Sequence, residues 1–137
     1  PPWSLPLWCP YIRNPKVADY SIQHIPRRYC TAFIYGYIEL QSPGQLKDIS
    51  PYKGDLSVLK QIAKVSKKGK VRPVYLAVGG RLARDHIRDT VQNDKHRNTF
   101  CVGLLDAIKQ YDLDGALIHF EAFLLGNNVI AGEFANL

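Results

Sequence analysis

Apolar positions along the chain gather into short runs separated by polar turn residues, and the runs alternate between two periods. Residues 116–120 are apolar except for His119. Strict alternation over residues 115–121 sets Leu117, His119 and Glu121 on one face and Ala116, Ile118 and Phe120 on the other. Residues 30–40, rich in Thr, Phe, Ile and Tyr and ending before Gln41-Ser42-Pro43-Gly44, form the most strand-like run. Its nearly continuous apolar character suits a parallel sheet covered on both faces. Residues 71–78 predict a third strand that stops at Gly79-Gly80, and residues 5–11, with Pro6 and Pro10, predict an edge-like first strand.

Between these runs the spacing turns helical. Residues 17–24 predict a short helix. Asp55 is placed to cap a helix with Leu56, Leu59, Ile62 and Ala63 at three-and-four spacing and Gly69 at its end. Residues 81–98 are polar and predict a helix in their first part, through Leu82, Ile87 and Val91. Asn98 or Thr99 is the expected cap of an amphipathic helix carrying Phe100, Leu104, Leu105, Ile108 and Tyr111 on one side. Residues 122–137 are apolar and contain glycine without a firm period.

Strand and helix in this alternation predict right-handed βαβ units and a parallel sheet. Ligands of such sheets sit at the carboxyl ends of the strands. Glu121, Gly79-Gly80 and Tyr37 all fall at such ends and are expected to converge on one cleft.

A length of 137 residues suits a single domain, so residues 1–137 are read as one unit. No apolar run approaches the roughly 20 residues of a membrane span, and no secretory leader is visible. The chain begins Pro1-Pro2 and contains no Met, so it is expected to be processed or a fragment. Its net charge of +6 would suit an anionic partner. The one basic cluster, Lys64, Lys67, Lys68, Lys70 and Arg72, reads as the cationic end of a helix, with no nucleic-acid motif beside it.

Cys9, Cys30 and Cys101 lack metal-ligand spacing, and one disulfide plus one spare thiol is the simplest arithmetic. Cys101, beside Phe100, reads as a small buried hydrophobe. His119-Phe120-Glu121 matches half of the zinc-deaminase signature but lacks its P-C-x-x-C, and Gly79-Gly80 lacks the phosphate-loop and dinucleotide fingerprints. Neither metal nor cofactor is therefore expected, and the two glycines read as a tight turn with close backbone approach.

Five features occur in a characteristic order: Cys9; Cys30-Thr31-Ala32-Phe33-Ile34-Tyr35-Gly36-Tyr37; Ala77-Val78-Gly79-Gly80; Thr99-Phe100; and Asp114-Gly115-Ala116-Leu117-Ile118-His119-Phe120-Glu121. This set resembles the N-terminal half of glycoside hydrolase family 18, the chitinases and chitinase-like lectins. The resemblance implies an α/β fold of parallel (β/α) units of the TIM-barrel type, about four of eight, as a half-barrel or fragment. Its open edges would then need a missing C-terminal half, self-association or the chain's own tail. It also implies a Cys9–Cys30 disulfide and a secreted protein.

In that family the last Glu of the fourth-strand motif is the general acid, here Glu121, and the nucleophile is the substrate's own N-acetyl group. The assisting carboxylate two residues earlier is replaced by His119, and a further Asp of the motif by Leu117, while the first is kept as Asp114. Arg81 stands where a Trp commonly follows the Gly-Gly, and Ala122 and Phe123 stand where Tyr and Pro usually follow the acid. Aromatic residues at the first two strand ends survive as Tyr11 and Tyr37. The expectation is a chitinase-like protein with impaired or no hydrolysis that binds chitin or another N-acetylglucosamine-containing glycan through Tyr11, Tyr37, Gly79, Gly80 and Arg81. The alternatives are a fragment of an active chitinase and a basic adaptor that uses residues 67–72 and has no sugar site.

Overall fold

The computed structural model describes residues 5–13, 20–64, 69–80 and 84–120. Four parallel strands form its main sheet in the order β1 (Trp8–Ile12), β2 (Ala32–Ile38), β5 (Val74–Gly79), β6 (Gly115–His119). Between β2 and β5 lie an antiparallel hairpin, β3 (Leu40–Ser42) and β4 (Gln45–Leu46), and the helix α1 (Lys53–Lys64). Helices α2 (Arg84–Gln92) and α3 (Asp94–Gln110) join β5 to β6. Among the described residues no helix is long and apolar enough to cross a membrane.

Register divides the sheet into two faces. Cys9 and Tyr11 of β1, Phe33 and Tyr35 of β2, and Val74, Leu76 and Val78 of β5 share one core with Leu56, Leu59 and Ile62 of α1 and with Phe100 and Leu104 of α3. The opposite face carries the rows Trp8–Ala32, Pro10–Ile34–Tyr75–Gly115, Ala77–Leu117 and Gly79–His119. Ala32 and Ala77 are buried there, but Trp8 remains 48% exposed, with its ring stacked on Tyr75 at 5.5 Å. Pro10 is tolerated because β1 is an edge strand of this sheet, where one side of the ladder needs no donor.

The predicted fold class and strand order hold, with shifts at the element ends. The helix expected from Asn98 or Thr99 starts at Asp94: Asn93 is its cap, and the Asn93 side chain accepts a hydrogen bond from the His96 N–H at 3.0 Å. Leu105, expected on the packed side of α3, is 54% exposed, and Ala107 takes its place in the core. Asp55 lies inside the first turn of α1 rather than capping it, and its Oδ2 accepts the Tyr35 hydroxyl at 2.7 Å. The β3–β4 hairpin leaves no mark in the sequence pattern, its strands being too short to show alternation. Of the short helix expected over residues 17–24, residues 17–19 lie outside the described residues, and Ile22–His24 is a 3-10 turn. The apolar segment 122–137 and the basic residues Lys67 and Lys68 also lie outside them.

Three ties hold the loops to this frame. The Cys9–Cys30 disulfide forms, joining β1 to the residue two before β2. Arg72, which by sequence belongs to a basic cluster, instead threads between elements. Its guanidinium donates to the carbonyls of Ile62 (2.5 Å), Ala63 (3.4 Å), Cys30 (3.1 Å) and Arg27, and lies 4.8 Å from the Phe33 ring centre. Burial lowers its pKa. Thr90, fully buried on α2, accepts from the Gly44 N–H at 2.6 Å and donates to the His86 carbonyl at 2.6 Å, which fixes the hairpin turn against α2. Cys101 is partly buried against the core.

Candidate functional site

Parallel pairing brings the carboxyl ends of β2, β5 and β6 side by side. There the Tyr37 and His119 rings face each other with centroids 5.3 Å apart and planes inclined by 31°. Gly79 and Gly80 lie between their strands in positive-φ conformations, at +125° and +103°. A Cβ on Gly79 would come 2.1 Å from the His119 carbonyl oxygen, so β5 approaches β6 at a distance only glycine permits. Gly80 then donates its N–H to the same oxygen at 3.1 Å, and its Cα side rests against the Tyr37 ring. The expected close backbone approach is what the chain adopts, while the residues that would complete a turn, 81–83, lie outside the described residues.

The other sequence-derived candidates are distributed differently. Glu121 and Arg81 lie outside the described residues, as do Ala122 and Phe123. Asp114 sits at the amino end of β6, where its carboxylate accepts the Val74 N–H at 2.8 Å while its own N–H donates to the Val74 carbonyl at 2.9 Å. Five residues of extended chain, roughly 16 Å, separate that latch from His119. Tyr11 points to the helix-bearing face, buried between Tyr20 and Tyr35 with ring centres 5.9 and 5.8 Å away. Burial raises its pKa. The structure thus groups Tyr37, Gly79, Gly80 and His119, and holds Tyr11 and Asp114 apart from them.

One aromatic pair is absent from the sequence-derived candidates. Trp8 and Tyr75 stack on the same sheet face as His119, nearer the amino ends of the strands. A signal for it exists: Tyr75 shares parity with Ala77 and Gly79, so a strand that delivers Gly79 to the cleft also turns Tyr75 toward that side. Among the described residues no three His, Cys, Asp or Glu side chains gather as a metal site. A cavity of about 560 Å³ lies between the β3–β4 hairpin and α3, bounded by Lys47, Thr99, Asp106 and Tyr111, and includes none of the grouped residues.

No protein-family model and no curated protein sequence matches the chain. Solved structures do. The second catalytic domain of the Group II chitinase of Ostrinia furnacalis superposes with a TM-score of 0.72 at 23% identity, over 97% of this chain and 38% of that one. Human YKL-39, described as a pseudo-chitinase with retained chitooligosaccharide binding properties, gives 0.69 at 17% identity, over 96% and 38%. A Rhizomucor miehei chitinase gives 0.63 at 21% identity, over 85% and 34%. The fold is that of part of a TIM-type (β/α) barrel, as in these structures. The chain spans about a third of the length of these structures, consistent with the expected four of eight (β/α) units. At these identities the likeness establishes architecture, and the resemblance to glycoside hydrolase family 18 is met at that level.

Proposed function

We propose that the chain is a chitinase-like carbohydrate-binding protein for N-acetylglucosamine-containing glycans, with hydrolysis impaired or absent. The observation that carries this reading is the Tyr37–His119 pair, set beside the positive-φ residues Gly79 and Gly80 at the strand ends where a chitinase fold would place its cleft. Aromatic faces suit the apolar faces of sugar rings, and Tyr and His add polar groups for the hydroxyl and acetamide groups.

The chemistry argues for binding over turnover. The resemblance puts His119 where an assisting carboxylate would steady the cation formed as the acetamide attacks. A neutral imidazole accepts a hydrogen bond but brings no negative charge, and an imidazolium repels that cation. Removing one such electrostatic partner typically costs about 2.7–4 kcal/mol of transition-state stabilisation, a hundredfold to a thousandfold in rate. In this reading Glu121 is a retained acid without its helper. The Cys9–Cys30 disulfide supports a secreted protein.

Titration of the chain with chitotetraose, alongside a fluorogenic chitooligosaccharide assay, tests both halves. Saturable binding without turnover is expected. Absence of binding at moderate salt would remove the glycan reading, and turnover abolished by Glu121→Gln would mean that the acid still works without its helper.

A further inference from the structure

A second cavity, of about 300 Å³, opens beside Tyr37 on the side away from His119's strand, between the end of β2 and the turn that leads into α1. That size is at the lower end of ligand-site volumes, roughly 300–1,000 Å³. It is lined by Tyr35, Gly36, Tyr37 and Ile38 from the end of β2 and by Pro51 and Tyr52. Arg13 completes it. The Arg13 N–H donates to the Gly36 carbonyl at 2.9 Å, which holds this residue at the carboxyl end of the β1–β2 pair. Its guanidinium lies 5.1 Å from the Tyr52 ring centre, and its side chain is 48% exposed.

Asp55 is the acid facing this guanidinium, at 3.9 Å, which is longer than a hydrogen bond, and it does not line the cavity. Its Oδ2 also accepts the Tyr35 hydroxyl, which itself lies against the Arg13 guanidinium, so Asp55 and Tyr35 hold the cation from the side behind the cavity. The cavity is therefore bordered by aromatic rings, phenol hydroxyls and a planar cation whose five N–H donors match a carboxylate in bidentate geometry. Tyr37 is common to this cavity and to the His119 pair, so a chain of sugars laid on one reaches the other.

We infer that the Arg13 pocket is a subsite for a uronic acid residue next to an N-acetylglucosamine held at Tyr37 and His119. The inference rests on the glycan reading of that site and narrows it: the preferred ligand is an acidic, alternating oligosaccharide rather than a neutral homopolymer. The Arg13 guanidinium fixes the carboxylate, and Tyr52 both packs beneath the cation and presents an edge to the sugar.

Calorimetric titration of the full chain at about 50 mM salt, where surface charge is weakly screened, tests this with three probes. These are hyaluronan tetrasaccharide, the same tetrasaccharide with its carboxyls reduced, and chitotetraose. The intact acid is expected to bind roughly tenfold more tightly than its reduced form, as for one charge-assisted bidentate contact. Arg13→Gln should bring the intact and reduced forms to equal affinity, whereas Arg13→Lys should keep a smaller part of the difference. Equal affinity of the wild-type chain for the intact and reduced forms overturns the inference, whether or not the variants fold. So does an Arg13→Gln loss shared equally by all three probes. Chitotetraose binding without an acid preference removes this inference alone, while binding of none of the probes removes the glycan reading with it.

Discussion

Gly79 and His119 meet so closely that a β-carbon on the first would sit 2.1 Å from the carbonyl oxygen of the second, and this contact sets the spacing of the site. Gly80, one residue on, has open contact by comparison, since its β-carbon would lie 3.7 Å from the Tyr37 ring. Gly79→Ala must therefore push β6 away or twist β5 while also placing alanine at a φ of +125°. The expected loss is roughly 2–5 kcal/mol, from backbone strain and overpacking together. Gly80→Ala carries only the strain of its φ, about 1–3 kcal/mol. Urea unfolding of the two variants checks the order, and equal losses would contradict the close-approach account.

Strand-end logic makes Gly79, Gly80 and His119 legible in the sequence, because parity and a glycine stop are local properties of a strand, whereas Tyr37 shares parity with the core residues Phe33 and Tyr35 and comes to face His119 through the irregular end of β2. Tyr11 is harder only at first sight. It shares parity with Cys9, and both turn to the helices, so the same alternation that joins His119 to Leu117 also separates Tyr11 from the cleft. The start of α3 is hidden because its first turn, Asp94 to Arg97, is polar and leaves no mark in hydrophobic periodicity. Asp55 and Arg72 are hidden for a related reason. Their roles depend on Tyr35 and on carbonyls of distant segments, which no local pattern encodes.

Tyr37→Ala removes the ring shared by the site and its neighbouring pocket, and chitotetraose affinity is expected to fall roughly tenfold, about 1.4 kcal/mol. Trp8→Ala provides the contrast. Its ring is as exposed as many binding aromatics but stacks on Tyr75 nearer the amino ends of the strands, so the affinity should not change. Calorimetry on both variants decides the point. A larger loss from Trp8→Ala would move the binding face toward the other end of the sheet.

Arg72→Lys keeps the charge and loses the fork. A lysine ammonium cannot reach the carbonyls of Ile62, Ala63, Arg27 and Cys30 together, so partly buried acceptors among them lose partners. The expected destabilisation is about 2–3 kcal/mol, with faster amide exchange near Arg27 and Cys30. Stability equal to wild type would show that charge alone, not the fork, is what this position supplies.

Paired Cys9→Ser and Cys30→Ser substitutions open a loop whose ends are 21 residues apart. Chain-entropy arguments place the loss at about 3 kcal/mol. The effect should appear in the urea midpoint of the oxidised chain, and adding reductant should bring the wild-type midpoint to that of the double variant. A midpoint insensitive to reductant would contradict a stabilising bridge.

The Tyr35 hydroxyl titrates in the alkaline range with a definite sign. Burial first, and then the hydrogen bond and negative charge of Asp55, raise its pKa above the ordinary 10, with Arg13 opposing. The folded chain therefore keeps a proton that the unfolded chain has released above about pH 10, and linkage makes stability fall as pH rises from there toward the folded pKa. One such group contributes a slope of about 1.4 kcal/mol per pH unit. Tyr35→Phe should cost about 1–2 kcal/mol at neutral pH through the lost bond to Asp55, yet show an alkaline slope shallower by about one proton. Urea midpoints between about pH 9 and 11 measure that difference directly. Parallel slopes for the two proteins would mean that Tyr35 titrates alike in both states, and that the Tyr35–Asp55 bond does not hold the phenol protonated.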